Sequence, residues 1–361
     1  MVLKQNFTNV SKTFGSLALA LALCGSAGAQ QFQASEFTPC PQGCPSVVLS
    51  DGSQFIAEGG TRAGHGLIFG VDPVGDQLAV PVISGLPTGM AADGIGYGPV
   101  ALALDGDNLY IAIGEGDRFH NAGPLFRTTP APFAGFVLQV SFSTDPVNAG
   151  PFSLTAANLQ SLAAGQSVIL NNLFGSVGNT ATFRQVAALG SGAHPVGLAL
   201  SSQAPSKLFV ADSALNAVEQ IDLTYASVTP FVQFAWGAQP ESLRATNGGQ
   251  LLVALTSPSP NGSSVQEIVP STGGFQTLIG NLTSAVDAVP LSQPGQNTVF
   301  VLENSADPQG LGQVLVYNQI NSGTVLVNGI NNPTSVVLDQ LAGGLLIYSR
   351  GDGIVYSSPL L

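Results

Sequence analysis

The feature that most constrains this chain is a unit that recurs at the spacing of propeller blades, about 40 to 50 residues. In each copy a Pro or small residue leads into an alternating apolar strand, and a Gly/Asp/Asn/Ser turn follows. A strongly apolar strand then ends in a polar residue, and one or two amphipathic strands close the unit. The clearest copies are Gly98-Pro-Val-Ala-Leu-Ala-Leu104 before Leu109-Tyr-Ile-Ala-Ile113, and His194-Pro-Val-Gly-Leu-Ala-Leu200 before Leu208-Phe-Val-Ala-Asp212. Gln239-Pro-Glu-Ser-Leu243, Ser284-Ala-Val-Asp-Ala-Val289 and Asn332-Pro-Thr-Ser-Val-Val-Leu338 open three more, and a weaker copy starts at Pro45-Ser-Val-Val-Leu49. Six units therefore begin near Pro45, Pro99, Pro195, Pro240, Ala285 and Pro333.

Six units imply an all-β, six-bladed β-propeller of four-stranded antiparallel blades. Period-2 alternation punctuated by 44 Gly and 24 Pro fits all-β better than α/β. Pro99 and Pro195 are 96 residues apart, which is room for a seventh blade, so seven is the alternative count. No second pair of leader and strand lies in that gap. It holds Phe136-Val-Leu-Gln-Val-Ser-Phe142, a helix-like run from Leu154 to Leu162 ending at Gly165, and Ser167-Val-Ile-Leu170. The gap is read as the outer half of the second blade with an insertion at about 143–190. The last unit offers only three strands, ending at Ile354-Val-Tyr-Ser357, so its fourth is expected from the N-terminal segment, around Gln31 to Phe37.

The N-terminus reads as an export signal over residues 1–29. Lys4 and Lys12 precede the apolar run Leu17–Leu23, and small residues surround a cleavage point after Ala29. A lipid anchor on Cys24 is the rival reading, but Leu23 stands where a small residue is needed. Residues 30–361 then form one propeller domain, secreted or periplasmic. No later run approaches the roughly 18 apolar residues of a membrane helix. Loss of Lys4 and Lys12 takes the formal charge from −12 to −14 and leaves Lys207 as the sole lysine, which argues against nucleic acid as a partner. Cys40 and Cys44, five residues spanning a Pro/Gly turn, suit a local disulfide in an oxidising compartment; a metal would need two further soft ligands.

From Gly98-Pro99 through Leu109-Tyr-Ile-Ala-Ile-Gly114 the chain resembles the ScyD/ScyE family of exported bacterial propellers, related in style to NHL repeats. The likeness runs from about residue 45 to the C-terminus and implies the propeller fold and export, but no assigned biochemical role. Two features depart from the family: the first unit lacks a clear leader, and the fourth ends its second strand in Leu255-Thr256 rather than an acidic residue.

In a propeller the loops after the second strand and before the first strand open on one face. Aligning the six units sets Glu58, Glu115, Asp212, Thr256, Glu303 and Arg350 in a ring there, with His194, Gln239 and Asn332 beside it. Oxygen ligands from Glu58, Glu115, Asp212 and Glu303 would suit Ca²⁺ or another divalent cation; the competing expectation is that each carboxylate caps its own loop. The long loop Gly114-Glu-Gly-Asp-Arg-Phe-His120, with Arg127 nearby, makes Asp117, Arg118, His120 and His194 candidates for ligand contact, while His65 and His194 read as loop or packing residues rather than a metal pair. Nucleophile-elbow, zinc-protease, P-loop and dinucleotide motifs are absent, and Asn261-Gly-Ser and Asn281-Leu-Thr match glycosylation sequons. The sequence therefore points to a monomeric binding or scaffold propeller for a small molecule, polysaccharide or protein rather than an enzyme. A metal-dependent hydrolase or lactonase with its site on the channel face is the alternative. A quinone-dependent sugar dehydrogenase comes third, because few Arg and Lys are at hand to clamp an anionic cofactor.

Overall fold

The computed structural model describes residues 33–36, 46–48, 53–58, 65–71, 79–90, 96–114, 133–173, 178–190, 193–293, 296–304, 311–318, 323–339, 343–349 and 354–359. They form six antiparallel sheets in chain order, the blades of a six-bladed propeller.

Strand β1 (Gln33–Glu36) leads the chain. Blade one is β2 (Ser46–Val48), β3 (Gln54–Glu58), β4 (Gly66–Val71) and β5 (Ala79–Leu86). Blade two starts with a short β6 (Gly89–Met90), then β7 (Gly96–Asp105), β8 (Asn108–Gly114) and β9 (Phe136–Phe142). An inserted segment follows, carrying α1 (Pro146–Ala149), β10 (Phe152–Ser153), α2 (Ala156–Ala163) and β11 (Val168–Asn171), before the outer strand β12 (Thr180–Ala188). Blade three is β13 (Pro195–Ser201), β14 (Ala204–Asp212), β15 (Ala217–Asp222) and β16 (Ser227–Gln233). Blade four is β17 (Gln239–Ala245), β18 (Leu251–Thr256), β19 (Ser263–Ile268) and β20 (Phe275–Leu282). Blade five is β21 (Ala285–Gln293), β22 (Gln296–Asn304), β23 (Leu311–Asn318) and β24 (Gly323–Asn331). Blade six is β25 (Pro333–Asp339), β26 (Gly344–Ser349) and β27 (Ile354–Pro359), and its fourth strand is β1, paired antiparallel from Gln33↔Ser357 to Glu36↔Ile354. The ring thus closes through the N-terminal strand, as the three-strand last unit required. Closure pairs the edge that β27 would otherwise expose.

The extra length between Pro99 and Pro195 is no seventh blade. The insertion lies on the outside of blades one and two: β10 pairs parallel with β5 through Phe152↔Ile83, while β11 pairs antiparallel with β12 through Val168↔Phe183. Blade one so gains a fifth strand, and blade two six in all. Thr155 caps α2, its Oγ1 accepting from Asn158 N–H at 3.2 Å while Asn158 Oδ1 accepts from Thr155 N–H at 2.9 Å. Leu159 and Leu162 of α2 are buried, and Phe142 lies between Phe55 of blade one and Phe152 of the insertion, with ring centroids 6.1 Å apart in each case.

The core is not a central ball but a wedge at each junction between neighbouring blades. Leu208, Val210 and Ile221 pack against Ala112, Val137 and Val186 of blade two, whereas Phe209, Ala211 and Val218 pack against Leu243, Val253 and Leu255 of blade four. Successive residues of one strand thus serve opposite interfaces. This is why second strands such as Leu208-Phe-Val-Ala211 read as continuous apolar runs rather than alternating ones. Corresponding wedges join blades four to five, five to six, six to one and one to two.

The repeat's leader has a structural meaning. Between first and second strands the pairing slips by one residue just after it, at Pro99/Ala101, Pro195/Gly197, Pro240/Ser242, Ala285/Asp287 and Pro333/Ser335. Proline has no N–H to give the ladder, so a bulge at this point costs little pairing and re-aims the strand toward the axis. At Gly197, the residue after the slip in blade three, an added Cβ would lie 2.5 Å from the backbone N of Leu243. Only glycine lets first strands three and four approach so closely.

Candidate functional site

Strand direction alternates within each blade, so the loops after second strands and those leading into first strands share one end of the ring, here the top. The bulge gives a register for comparing blades there. Opposite the leader stand Ile113, Asp212, Leu255, Glu303 and Ser349 in blades two to six. Asp212 and Glu303 occupy the same position, while Thr256 lies one step beyond it, opposite Gln239. The residues aligned by sequence are therefore not one layer. Glu115, Asp117, Arg118, His120, Arg127, Arg350 and both Cys40 and Cys44 lie outside the described residues.

Asp212 is fully buried and caps its own loop: its Oδ1 accepts N–H groups of Ala214 at 2.9 Å, His194 at 3.0 Å and Leu215 at 3.2 Å. Burial raises its pKa, and those three donors pull it back. Glu303 ties two neighbours together, Oε1 accepting from Thr283 N–H at 2.6 Å and Oε2 from Gln313 Nε2 at 2.8 Å. Thr256 Oγ1 lies 3.3 Å from Ser284 Oγ. Glu58 ends β3, half-buried, and that burial raises its pKa. His194 is buried with Nδ1 2.5 Å from Ser213 Oγ, and exposed His65 donates its N–H to Thr88 Oγ1 at 2.9 Å. Asn332 adopts the left-handed backbone (φ 49°) leading into blade six. Among the described residues no three of His, Cys, Asp and Glu converge as a metal-binding group.

Sequence reasoning missed the charges on strand interiors. Arg244 on β17 crosses the axis. Its Nε and Nη2 donate to Asp287 Oδ1 and Oδ2 of β21 at 3.3 and 2.8 Å, and Nη2 also reaches Ser335 Oγ of β25 at 3.2 Å. Nη1 donates to the carbonyl of Ser46 on β2 at 3.3 Å, so one guanidinium links first strands from blades four, five, six and one. Asp287 also accepts from Val336 N–H at 3.1 Å and Ser335 Oγ at 3.2 Å. Burial pushes its carboxyl up, but the charge and hydrogen bonds of Arg244 outweigh that and hold it below the usual carboxylate range. Beside them Tyr348 is pushed up to about 12, chiefly by burial, and its hydroxyl donates to Gln54 Oε1 at 3.2 Å. At this level the channel is crossed by side chains.

Glu219 on β15 is the second charge missed. It is 7% exposed, and burial together with the nearby charge of Asp212 pushes it up to about 7. The signal was available: only 8% of the chain is charged, so Arg244, Asp287 and Glu219 inside apolar strands stand out.

Over blades three and four the top face carries apolar groups. Trp236, the sole tryptophan, is 88% exposed on the loop from β16 to β17, and Leu215 on the loop after β14 is 47% exposed. Both loops are fixed. Ala238 N–H donates to the Ala235 carbonyl at 3.0 Å, Gln233 Nε2 to the Leu215 carbonyl at 2.8 Å and Phe234 N–H to the Asn216 carbonyl at 2.9 Å. Exposed Pro258 on the loop after β18 borders Gly237.

No family model matches the chain, and no curated protein matches it. Solved structures do. An auxiliary nutrient binding protein from Bacteroides ovatus superposes with a TM-score of 0.52 at 9% identity, over 91% of this chain and 72% of that one. A putative TolB from Agrobacterium tumefaciens gives 0.49 at 10% identity, covering 90% and 91%. The WD40 beta propeller domain of Doa1 gives 0.46 at 14%, covering 91% and 95%. At such identities the shared property is the fold. Among the described residues no helix is long and apolar enough to cross a membrane.

Proposed function

We propose that this chain is an exported β-propeller that acts as a binding or scaffold protein, engaging a small molecule, polysaccharide or protein on its top face over blades three and four. The observation that carries this reading is Trp236, almost wholly exposed on a loop pinned to a rigid ring. A large amphipathic ring held out in solvent offers contact area and a polar N–H at low entropic cost to a partner. Asp212 and Glu303 support it, since Asp212 Oδ1 and both Glu303 oxygens are engaged with loop N–H groups and the Gln313 amide. The nutrient binding protein of similar fold illustrates that such a scaffold can carry a binding role. The reading takes in membership of the ScyD/ScyE exported propellers, a signal peptide over residues 1–29, a Cys40–Cys44 disulfide, a monomeric state and a secreted or periplasmic location.

As the only tryptophan, Trp236 reports on this face directly. Titration of the purified mature protein with soluble polysaccharides and a peptide library is expected to find a binder that shifts indole emission, with binding weakened at least about tenfold in Trp236→Ala. A binder that leaves the emission unchanged and holds equally well to Trp236→Ala would place recognition elsewhere and overturn the reading.

A metal-dependent hydrolase or lactonase on the same face is the second reading, with Glu58, Glu115, Asp212 and Glu303 as ligands. One observation favours it: among the described residues Asp212 Oδ2 is buried without a hydrogen-bond donor.

A further inference from the structure

Blade three buries two carboxylates close enough for the charge of one to act on the other. In the β14–β15 ladder Asp212 is opposite Ala217 and Val210 is opposite Glu219. Asp212 and Glu219 are therefore diagonal neighbours on one face, about 7–8 Å apart at the backbone, a gap that their side chains can bridge. That face is turned to blade two, because Val210 and Ile221 of the same face pack against Ala112 and Val186. Opposite Asp212 stands only the methyl group of Ala217.

Among the described residues one oxygen of each carboxylate is buried without a donor. Asp212 is 0% exposed and Glu219 7%, and among the described residues neither Asp212 Oδ2 nor Glu219 Oε2 has a hydrogen-bond partner. Asn216, 8% exposed and immediately before Ala217, has its Oδ1 buried in the same condition. Three donor-less oxygens within eight residues of one loop and strand are a concentrated cost, since each buried acceptor without a donor is unfavourable. No protein cation relieves it from the same hairpin: Lys207 is paired with Asp222 at 2.5 Å, at the hairpin's other end. Oxygen donors alone, two of them carboxylate, match the preference of hard cations and offer nothing to thiophilic or imidazole-seeking ones.

We propose that Asp212, Glu219 and Asn216 form a site for one hard divalent cation of the Ca²⁺ or Mg²⁺ class, at the top of the interface between blades two and three. The site differs from a ring of residues contributed by several blades, and it stands whether the top face binds a ligand or turns one over. Its role is to tie the loop after β14 to the strand behind it while neutralising the paired charge.

The test is calorimetric titration of chelator-treated mature protein with CaCl₂ and, separately, MgCl₂, alongside thermal melts. One ion is expected to bind per chain and to raise the melting temperature. Glu219→Gln is expected to lose that binding by roughly 100-fold or more while melting, in chelator, no lower than the parent protein. Asp222→Asn, on the same strand but paired with Lys207, is expected to bind as the parent does. The proposal is overturned if neither ion binds, if Glu219→Gln binds as tightly as the parent, or if Asp222→Asn loses binding equally.

Discussion

Asp287→Ala is expected to destabilise the protein by about 3–5 kcal/mol, the usual cost of removing one partner from a buried ion pair. The substitution leaves the Arg244 guanidinium crossing the axis with its Nε–H and one of its Nη2 bonds unmatched, and it strips acceptors from Val336 N–H and Ser335 Oγ. Because Arg244 joins first strands of four blades, the loss should reach the whole ring and not one sheet. Replacing both partners together, Arg244→Met with Asp287→Leu, is expected to recover most of the loss, since no unpaired charge then stays buried. Urea unfolding of the three proteins measures this. A single replacement costing under about 1 kcal/mol would mark the pair as an ordinary surface contact. The same pair sets an acid limit. Asp287 is held below the usual carboxylate range, so its contribution is present above the unfolded pKa and is lost as pH falls through the lower folded value.

Glu219→Gln should act in the opposite direction. In the cation-free protein Glu219 titrates at about 7, raised from 4.5 by burial and by Asp212. Between those two values the folded chain holds a proton that the unfolded chain has released. The contribution of Glu219 is therefore fully present below pH 4.5 and falls as pH rises to about 7, by roughly 3 kcal/mol at 1.36 kcal/mol per pH unit. Glutamine keeps the shape and removes the charge. In chelator at pH 8 the variant is expected to be more stable than its parent by an amount of that order, and the difference should shrink toward zero near pH 4.5. Denaturation across this range tests it; a variant less stable than its parent at pH 8 would contradict a burdened carboxylate at Glu219.

Much of the fold was legible because a propeller writes its topology in local repeats. Each leader and apolar second strand encodes one blade, and the last unit's missing strand foretold pairing with the N-terminal segment, seen at Gln33–Glu36. The step from Pro99 to Pro195 left six or seven blades open, and β10 and β11 close that question by clasping blades one and two from outside. The candidate site was only partly legible. Asp212 and Glu303 were found because acidic residues after apolar strands carry a pattern; Asp212 caps its own loop, whereas Glu303 accepts from Thr283 N–H on the loop leading into its blade. The rest depends on register and on which blades meet. A slip of one residue moves Thr256 off the layer of Asp212. Arg244 reaches a carbonyl 198 residues away, and Glu219 matters because of the face it shares with Asp212. The first relation joins different blades, and the second follows from the pairing register inside blade three, which the repeat pattern does not state.

The most direct measurement of binding against catalysis is turnover. Mature protein supplied with Ca²⁺ would be assayed on a panel of lactones and nitrophenyl esters, with Asp212→Asn and Glu303→Gln run in parallel. A binding propeller should give no rate above buffer with the parent or either variant. Hydrolysis by the parent protein that disappears in Asp212→Asn, with that variant still folded, would contradict it and make the top face an active site.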